Sequence, residues 1–244
     1  MSELERNMSA RECILGSISE HLAASATHDA IEAEGLAEIP ATVEVTIPPS
    51  DGSRLLLVET FKEKLASVGG HCIVAHNEQE VVGALTRIIS DLQKTPLRAR
   101  RIALSNAPEL ERLLSQVEVD VDVIETSPGA AELFEYDIGI STAQAGIAET
   151  GTLVLDSGRE RHRLVSLVPP VHIAILEMKS ICLGLGEALA AVQGNEAQEV
   201  SPTVTFITGP SRTADIELTL AIGVHGPQEL YVIVNDGEGP KVCD

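Results

Sequence analysis

The sequence predicts an α/β fold built on a doubly wound, mostly parallel sheet. Short apolar segments alternate with segments of helical periodicity along most of the 244 residues, as strands and crossover helices do. Hydrophobic residues make up 44% of the chain and aromatic residues only 2%. The core must therefore consist of Ala, Val, Ile and Leu, which is typical of parallel sheets buried on both faces. In such sheets ligands bind beyond the carboxyl ends of the strands.

The first 54 residues are expected to form a helix followed by an extended connector. Apolar residues recur at three- and four-residue spacing, at Ile14, Leu15, Ile18 and Leu22, so residues 1 to about 34 are predicted to be helical. The segment from Leu36 to Ser53 is rich in proline and predicts extended backbone. We place the compact domain at residues 55–244.

The first half of this domain follows the α/β pattern closely. A predicted helix at 56–67 ends at two glycines, a strand follows at 71–76, and a helix at 78–93 has Asn77 and Glu80 spaced as N-cap and N3. Strands are predicted at 100–105, 119–125 and 136–142, with a short helix near 108–116.

The second half continues the pattern after an interruption. The segment GIAETGTLVLDSG, residues 146–158, interrupts the sheet and contains a short apolar run of its own. Strands are expected at 172–177, 203–208 and 229–236, and helices near 180–192 and at 213–221. The same doubly wound sheet is therefore predicted to extend to the end of the domain.

The chain is strongly acidic. With 37 Asp and Glu residues against 17 Lys and Arg, its formal net charge is -20. A surface of this kind repels nucleic acid and anionic lipid headgroups, so a role on either is disfavoured. A salt-rich cytosol and simple solubility both explain the acidity.

Cysteine usage and hydropathy predict a cytoplasmic protein. The four cysteines, Cys13, Cys72, Cys182 and Cys243, never form a C-x-x-C pair, so we expect reduced thiols and neither a zinc ribbon nor an iron-sulfur cluster. No apolar stretch approaches the roughly 20 residues needed to span a bilayer, and the N-terminus is acidic where a secretion signal would be basic.

Glu149 is the candidate catalytic residue. It lies between Gly146 and Gly151, which permit close backbone approach or a positive φ, so the segment can direct a carboxylate into a crevice. There Glu149 could act as acid, base or nucleophile. Alternatively, its carboxylate only accepts hydrogen bonds from neighbouring backbone N–H groups.

The segment TFITGPSRTADIEL, residues 205–218, is the candidate anion pocket. A strand ends at Thr208, a Gly-Pro turn follows, and Ser211 or Thr213 can cap the helix predicted at 213–221, whose N–H groups favour an anion. Arg212 can add a bidentate contact to a carboxylate or phosphate. A helix that is merely well capped is the alternative, and Asp215 in its first turn would compete with a bound anion.

Basic and histidine residues offer further candidates. Arg159, Arg161 and Arg163 form a local basic cluster that could hold a substrate carboxylate or an acidic partner, or simply pair with nearby glutamates. His172 opens a predicted core strand and His225 lies in a turn, where structural histidines are common. No two histidines have the spacing of a helical metal site, so no metal is expected.

Three segments follow one another in the order AETGTLVLDSG, VSLVPPVHIAIL and TFITGPSRTADIELTLAIGVHGPQELYVIVND. In this order and at this spacing they resemble the LUD-domain family, and within it the lactate utilization proteins that lack iron-sulfur clusters. The resemblance covers about residues 55–236. It implies a three-layer α/β/α fold similar to the ribose-phosphate isomerase and CoA-transferase group. The ligand-binding residues that we predict from these segments are Thr150, Gly151, Thr152, His172, Gly209, Ser211, Arg212, Thr213, Asp215 and His225.

The resemblance also implies a function. It indicates a component of a system that oxidises L-lactate to pyruvate, in which partner proteins carry the iron-sulfur clusters that this chain lacks. Such a component would bind a small carboxylate or a partner between Glu149 and the Ser211 helix. A free-standing enzyme of the CoA-transferase or sugar-phosphate isomerase type, using Glu149, is the alternative, and a regulatory binder that docks through Arg159, Arg161 and Arg163 is a third hypothesis.

Overall fold

A computed structural model describes residues 15–17, 19–20, 51–157, 163–193, 203–214, 220–222 and 226–237. The chain divides into two compact units, Met1–Glu44 and Val45–Asp244. In the first unit the described residues are helical and exposed. Ile14, Ile18 and Leu22 of the predicted N-terminal helix lie outside the described residues, as does the connector up to residue 50. The predicted domain boundary at residues 54 and 55 stays a prediction.

The described part of the second unit contains four α-helices and twelve strands. The helices are α1 (Asp51–Ser67), α2 (Glu78–Lys94), α3 (Pro108–Leu114) and α4 (Leu185–Gln193). The strands are β1 (His71–Ala75), β2 (Arg101–Leu104), β3 (Val123–Thr126), β4 (Ile138–Ala143), β5 (Ala145–Ile147), β6 (Thr152–Asp156), β7 (Val171–Glu177), β8 (Ile181–Cys182), β9 (Val204–Ile207), β10 (Arg212–Ala214), β11 (Leu220–Ile222) and β12 (Glu229–Asn235).

Six of these strands form the central sheet, in the order β1-β12-β7-β4-β2-β3. Every neighbouring pair is parallel. The predicted α/β fold with a mostly parallel sheet is therefore confirmed. None of the described helices combines the length and the hydropathy that a membrane crossing requires.

Local signals explain why the first helices form where they do. The Oδ1 atom of Asn77 accepts a hydrogen bond from the backbone N–H of Glu80 at 2.9 Å, so the predicted N-cap of α2 is confirmed. α1 begins at Asp51, five residues before the predicted start at residue 56 and within the segment expected to be extended. The residues from Arg54 onward, among them three consecutive leucines, favour a helix, and the two preceding prolines lie before its first residue.

The alternation of side chains along β7 divides the core into two layers. Val171, Ile173 and Ile175 pack against α2 and α3 on one face of the sheet. Ala174 and Leu176 pack on the other face, against α1 and part of a second sheet. Because both faces of the central strands are covered, these strands are apolar almost throughout.

A second, four-stranded sheet lies over α1 and the central sheet. Its order is β8-β5-β6-β9, with β6 antiparallel to both β5 and β9. We refer to it as the small sheet. Leu153 and Leu155 of β6 face the core, while Val154 packs outward against α4. The predicted strand 203–208 therefore exists, as β9, but it belongs to this sheet rather than to the doubly wound one.

Two predicted helices differ from the structure. The helix near 180–192 begins only at Leu185, because Ile181 and Cys182 pair with β5. The helix at 213–221 is wrong: β10 pairs antiparallel with β11, with Thr213 opposite Ala221. The periodicity of this segment is too short to distinguish a helix from a strand, and pairing between its two ends favours the strands.

Gly139 in β4 allows another chain segment to cross the sheet at contact distance. A Cβ atom at this position would lie 1.9 Å from the carbonyl oxygen of Val165 and 3.1 Å from the ring of Pro169. Val165 belongs to a short 3-10 helix, Arg163–Ser166, that precedes β7. The absence of a side chain at Gly139 therefore determines how closely this segment packs on the sheet.

We expect Gly139→Ala to lower the free energy of unfolding by about 2–3 kcal/mol or more, because the added methyl group overlaps backbone atoms that cannot rotate away. Gly83→Ala is the matched control. Gly83 lies in α2 with no atom within 4 Å of its would-be Cβ, so this change should raise stability by up to about 1 kcal/mol. Urea unfolding of both variants measures the difference. Equal stability of the two variants would contradict the packing described here.

Candidate functional site

Glu149 lies in the turn between β5 and β6. Its backbone N–H donates to the carbonyl oxygen of Leu183 at 3.1 Å, and that of Gly151 donates to Ile147 at 2.9 Å. Gly151 has a φ of +66°, and a Cβ there would lie 2.3 Å from the backbone nitrogen of Leu65. As the sequence suggested, a glycine is needed in this turn, both for its left-handed conformation and for its contact with α1.

The side chain of Glu149 is exposed and lies over Gly184, just after β8. A Cβ on Gly184 would be 3.3 Å from the Oε1 atom of Glu149. Within the described part of the chain, its carboxylate accepts no hydrogen bond, so the alternative role as a backbone acceptor finds no support there. Its predicted catalytic role stays a prediction.

A chain of hydroxyl groups runs from this turn to the end of β9. The Oγ1 atoms of Thr150 and Thr152 lie 2.7 Å apart, and Thr152 Oγ1 lies 2.7 Å from Thr208 Oγ1. Two of the predicted ligand-binding residues, Thr150 and Thr152, are thereby connected to the turn that follows β9.

That turn is fixed against the end of α1. Gly209 has a φ of +79°, and a Cβ there would lie 2.8 Å from the carbonyl oxygen of Val68. The same oxygen accepts a hydrogen bond of 2.6 Å from Nη2 of Arg212. The backbone N–H of Ser211 donates to Pro227 at 2.8 Å. The turn is thus connected both to α1 and to the segment that leads into β12.

A cavity of about 360 Å³ lies behind this turn. We refer to it as the His172 cavity. It is formed by residues 205–212, 166–167 and 226–227 together with the side chains of His172 and Leu230. Four of the predicted ligand-binding residues line it: His172, Gly209, Ser211 and Arg212. Its volume is at the lower end of the range found for small-molecule pockets, about 300–1,000 Å³.

His172 is completely buried in the wall of this cavity. Its Nε2 atom lies 2.8 Å from the Oγ atom of Ser141 on the neighbouring strand β4. Its Nδ1 atom is buried and has no hydrogen-bond partner among the described residues. Burial lowers the pKa of His172 to about 3, so the ring is neutral at physiological pH. A buried nitrogen without a hydrogen bond lowers the stability of the fold by about 1–3 kcal/mol, so such atoms are rare in folded proteins.

Ser211 lines the His172 cavity, whereas Glu149 is not among the residues that line it, and the predicted site between the two stays a prediction. Gly184, beside Glu149, follows β8 at one edge of the small sheet, whereas the His172 cavity adjoins β9 at the opposite edge. The predicted anion pocket at a helix N-terminus is wrong, because Ser211 and Arg212 lead into strand β10. Any anion bound there must be held by side chains and by the turn itself.

Asp215, His225, Arg159 and Arg161 lie outside the described residues. Arg163 is exposed at the start of the 3-10 helix, where its carbonyl oxygen accepts a hydrogen bond from Ser166. The partner-binding role of this arginine cluster stays a prediction.

Two buried serines, Ser141 and Ser166, are not among the site residues predicted from the sequence. Ser141 is 2% exposed in β4, where Thr142 is the only other polar residue, and Ser166 is completely buried. A polar residue inside a buried strand is a usable signal, because it must find a partner within the core. Without the pairing of β4 with β7, however, the partner of Ser141 could not be identified.

A second cavity, of about 340 Å³, lies where ligands of parallel sheets usually bind. It adjoins the carboxyl ends of β4, β7 and β12 and contains Glu109, Arg112, Gln144 and Glu177. None of the predicted site residues lines it. The His172 cavity instead lies near the amino end of β7, so the expected position of the ligand site and the predicted site residues do not coincide.

The described residues contain no group of three or more His, Cys, Asp or Glu side chains that could hold a metal ion. Cys72 and Cys182 are free thiols, and burial raises the pKa of each to about 11. Both are therefore unreactive at neutral pH.

Comparison with known proteins identifies the family. The LUD domain matches residues 58–234. An uncharacterized protein of Neisseria meningitidis is 48% identical over 99 residues, 40% of this chain and 41% of the relative. Lactate utilization protein C of Bacillus subtilis is 38% identical over 122 residues, 49% of this chain and 50% of the relative. Its counterpart in Halalkalibacterium halodurans is 30% identical over 188 residues, 66% of this chain and 82% of the relative.

The fold is also found in a solved structure. The crystal structure of a DUF162 family protein from Deinococcus radiodurans superimposes with a TM-score of 0.57 at 24% identity, over 77% of this chain and 99% of that chain. The chain belongs to the LUD domain family, as its sequence motifs predicted. Several of the curated relatives are matched over about half of their length.

The neutral state of His172 predicts how stability depends on pH. The unfolded chain takes up a proton near pH 6.5 and the folded chain only near pH 3, so stability is full above pH 6.5 and falls as the pH is lowered. Between pH 6.5 and 5 the loss should be about 1.5 kcal/mol, and His172→Asn should remove that part of the slope. Denaturant unfolding at each pH measures it. An imidazole signal of His172 that titrates near pH 6.5 in NMR spectra would refute this prediction.

Proposed function

We propose that this protein is a component of an L-lactate utilization system and binds a small carboxylate in the His172 cavity. The names of its relatives support the role in lactate utilization. The binding of a carboxylate in the cavity is supported by one observation: four residues predicted from the sequence to bind a ligand, His172, Gly209, Ser211 and Arg212, line a single cavity.

The side chains that line the cavity suit a small anion that also carries polar groups. Arg212 is exposed, and its guanidinium group has five N–H donors. Among the described residues, only one of these donors is used, in the hydrogen bond from Nη2 to the carbonyl oxygen of Val68. The remaining donors can bind a carboxylate in the bidentate manner. The hydroxyl groups of Ser211 and Thr208 can complete the contacts. In a chain with a net charge of -20, local donors of this kind are required to attract an anion.

The electrons of lactate oxidation would pass to partner proteins. The four cysteines of this chain are far apart in sequence, whereas an iron-sulfur cluster needs several thiolates at one place. We therefore assign the clusters to partner iron-sulfur proteins, with the arginines at 159, 161 and 163 as a surface for an acidic partner.

The exposed carboxylate of Glu149 supports a second candidate function. A carboxylate that accepts no hydrogen bond from any of the described residues, beside a glycine, can act as a nucleophile or base in a free-standing enzyme related by fold to CoA transferases. This function places the reaction at the β8 edge of the small sheet rather than at the His172 cavity.

Calorimetric titration with L-lactate and pyruvate tests the carboxylate site. Arg212→Gln should weaken binding about tenfold or more, because a hydrogen bond to a charged group contributes about 1.5–3 kcal/mol. Arg163→Gln removes the same charge from an exposed position outside the cavity and should leave affinity nearly unchanged. Equal losses in the two variants, or no binding of either acid at millimolar concentration, would refute the proposed site.

Turnover by the isolated protein separates the two functions. If Glu149 is a catalytic carboxylate, Glu149→Gln should reduce activity by about two orders of magnitude without changing stability. We expect instead that the isolated protein does not oxidise lactate with an acceptor dye, and that Glu149→Gln binds lactate as the unchanged protein does. Dye reduction by the protein alone would contradict its assignment as a component that needs partners.

A further inference from the structure

The Nδ1 atom of His172 is the one ring nitrogen of this residue that has no partner among the described residues. Its Nε2 atom is occupied by Ser141, at 2.8 Å. Buried polar atoms in folded proteins almost always have a partner, and an exception calls for a water molecule, an ion or a ligand. His172 is among the residues that line the cavity, so its ring lies beside a space of about 360 Å³ in which such a partner can bind.

We infer that Nδ1 of His172 is the specificity-determining contact of this site, and that it binds a neutral hydroxyl group carried by the small carboxylate. This inference rests on the proposed carboxylate site. It adds the orientation of the ligand, with its charged end at Arg212 and its neutral polar group at His172.

The distribution of charge in the cavity supports this orientation. Arg212 is exposed, whereas His172 is completely buried. The other buried side chains that line the cavity, those of Ser166 and Leu230, carry no charge. A carboxylate placed there would lose its hydration without gaining a cation, so a neutral group is favoured at this end.

The hydrogen bond between His172 and Ser141 favours a hydroxyl over other neutral groups. If the hydroxyl of Ser141 donates to Nε2, then Nδ1 carries the proton and acts as a donor. If Nε2 donates to Ser141, then Nδ1 is an acceptor. A ligand hydroxyl can donate and accept, so it pairs with either tautomer, whereas a carbonyl pairs only with a protonated Nδ1. The unpaired nitrogen therefore distinguishes a hydroxy acid from an acid without a polar substituent.

Titration with L-lactate and propionate tests this inference, because the two acids differ only in the hydroxyl group. Lactate should bind at least tenfold more tightly, and the ¹⁵N resonance of His172 Nδ1 should shift with lactate but stay unchanged with propionate. The double variant Ser141→Ala/His172→Phe removes both polar groups without leaving the serine unpaired. It should bind the two acids equally, with an affinity close to that of propionate for the unchanged protein.

The outcomes separate this inference from the proposed function. Equal binding of the two acids, with an unshifted Nδ1 resonance, would overturn the role of His172 while leaving the carboxylate site in place; a water molecule would then be the partner of Nδ1. If neither acid binds, the site itself fails, and the inference with it. Because the NMR measurement uses the unchanged protein, the test does not depend on the folding of the variant.

Discussion

The contact between the small sheet and the carboxyl end of α1 determines the arrangement of the site. At Gly151 the turn between β5 and β6 touches the backbone of Leu65, and at Gly209 the turn after β9 touches the backbone of Val68. Neither contact leaves space for a side chain. Both glycines also have the left-handed conformation that other residues adopt only with strain. The small sheet is thereby held over one face of the central sheet, with the His172 cavity at its β9 edge.

The second constraint is the polar pair inside the central sheet. Ser141 and His172 lie on neighbouring parallel strands, and each supplies the other's only side-chain hydrogen bond among the described residues. An apolar pair of the same shape would avoid the cost of the unmade bond at Nδ1, about 1–3 kcal/mol. A ligand hydroxyl group at Nδ1, as proposed above, would offset this cost.

Elements with strong local signals could be predicted from the sequence, and elements that depend on distant pairing could not. The N-cap of α2 follows from Asn77 and Glu80, which are three residues apart, so its start was predicted correctly. The segment from Thr213 to Ala221 has apolar residues at a spacing that fits a helix, but the pairing of β10 with β11 overrides it. The small sheet joins β6 to β9 across two intervening strands, β7 and β8, and helix α4, and no local pattern reveals such a pairing.

The central claim is that the His172 cavity, and not the surface beside Glu149, binds the ligand. Intermolecular NOEs between the methyl group of L-lactate and the methyl groups of the protein test it most directly. Leu167, Ile207 and Leu230 are the aliphatic residues that line the cavity, so we expect NOEs to these residues at saturating lactate. NOEs to Leu183 and Leu185, which are exposed next to Glu149, would contradict the claim and locate the ligand at the β8 edge of the small sheet.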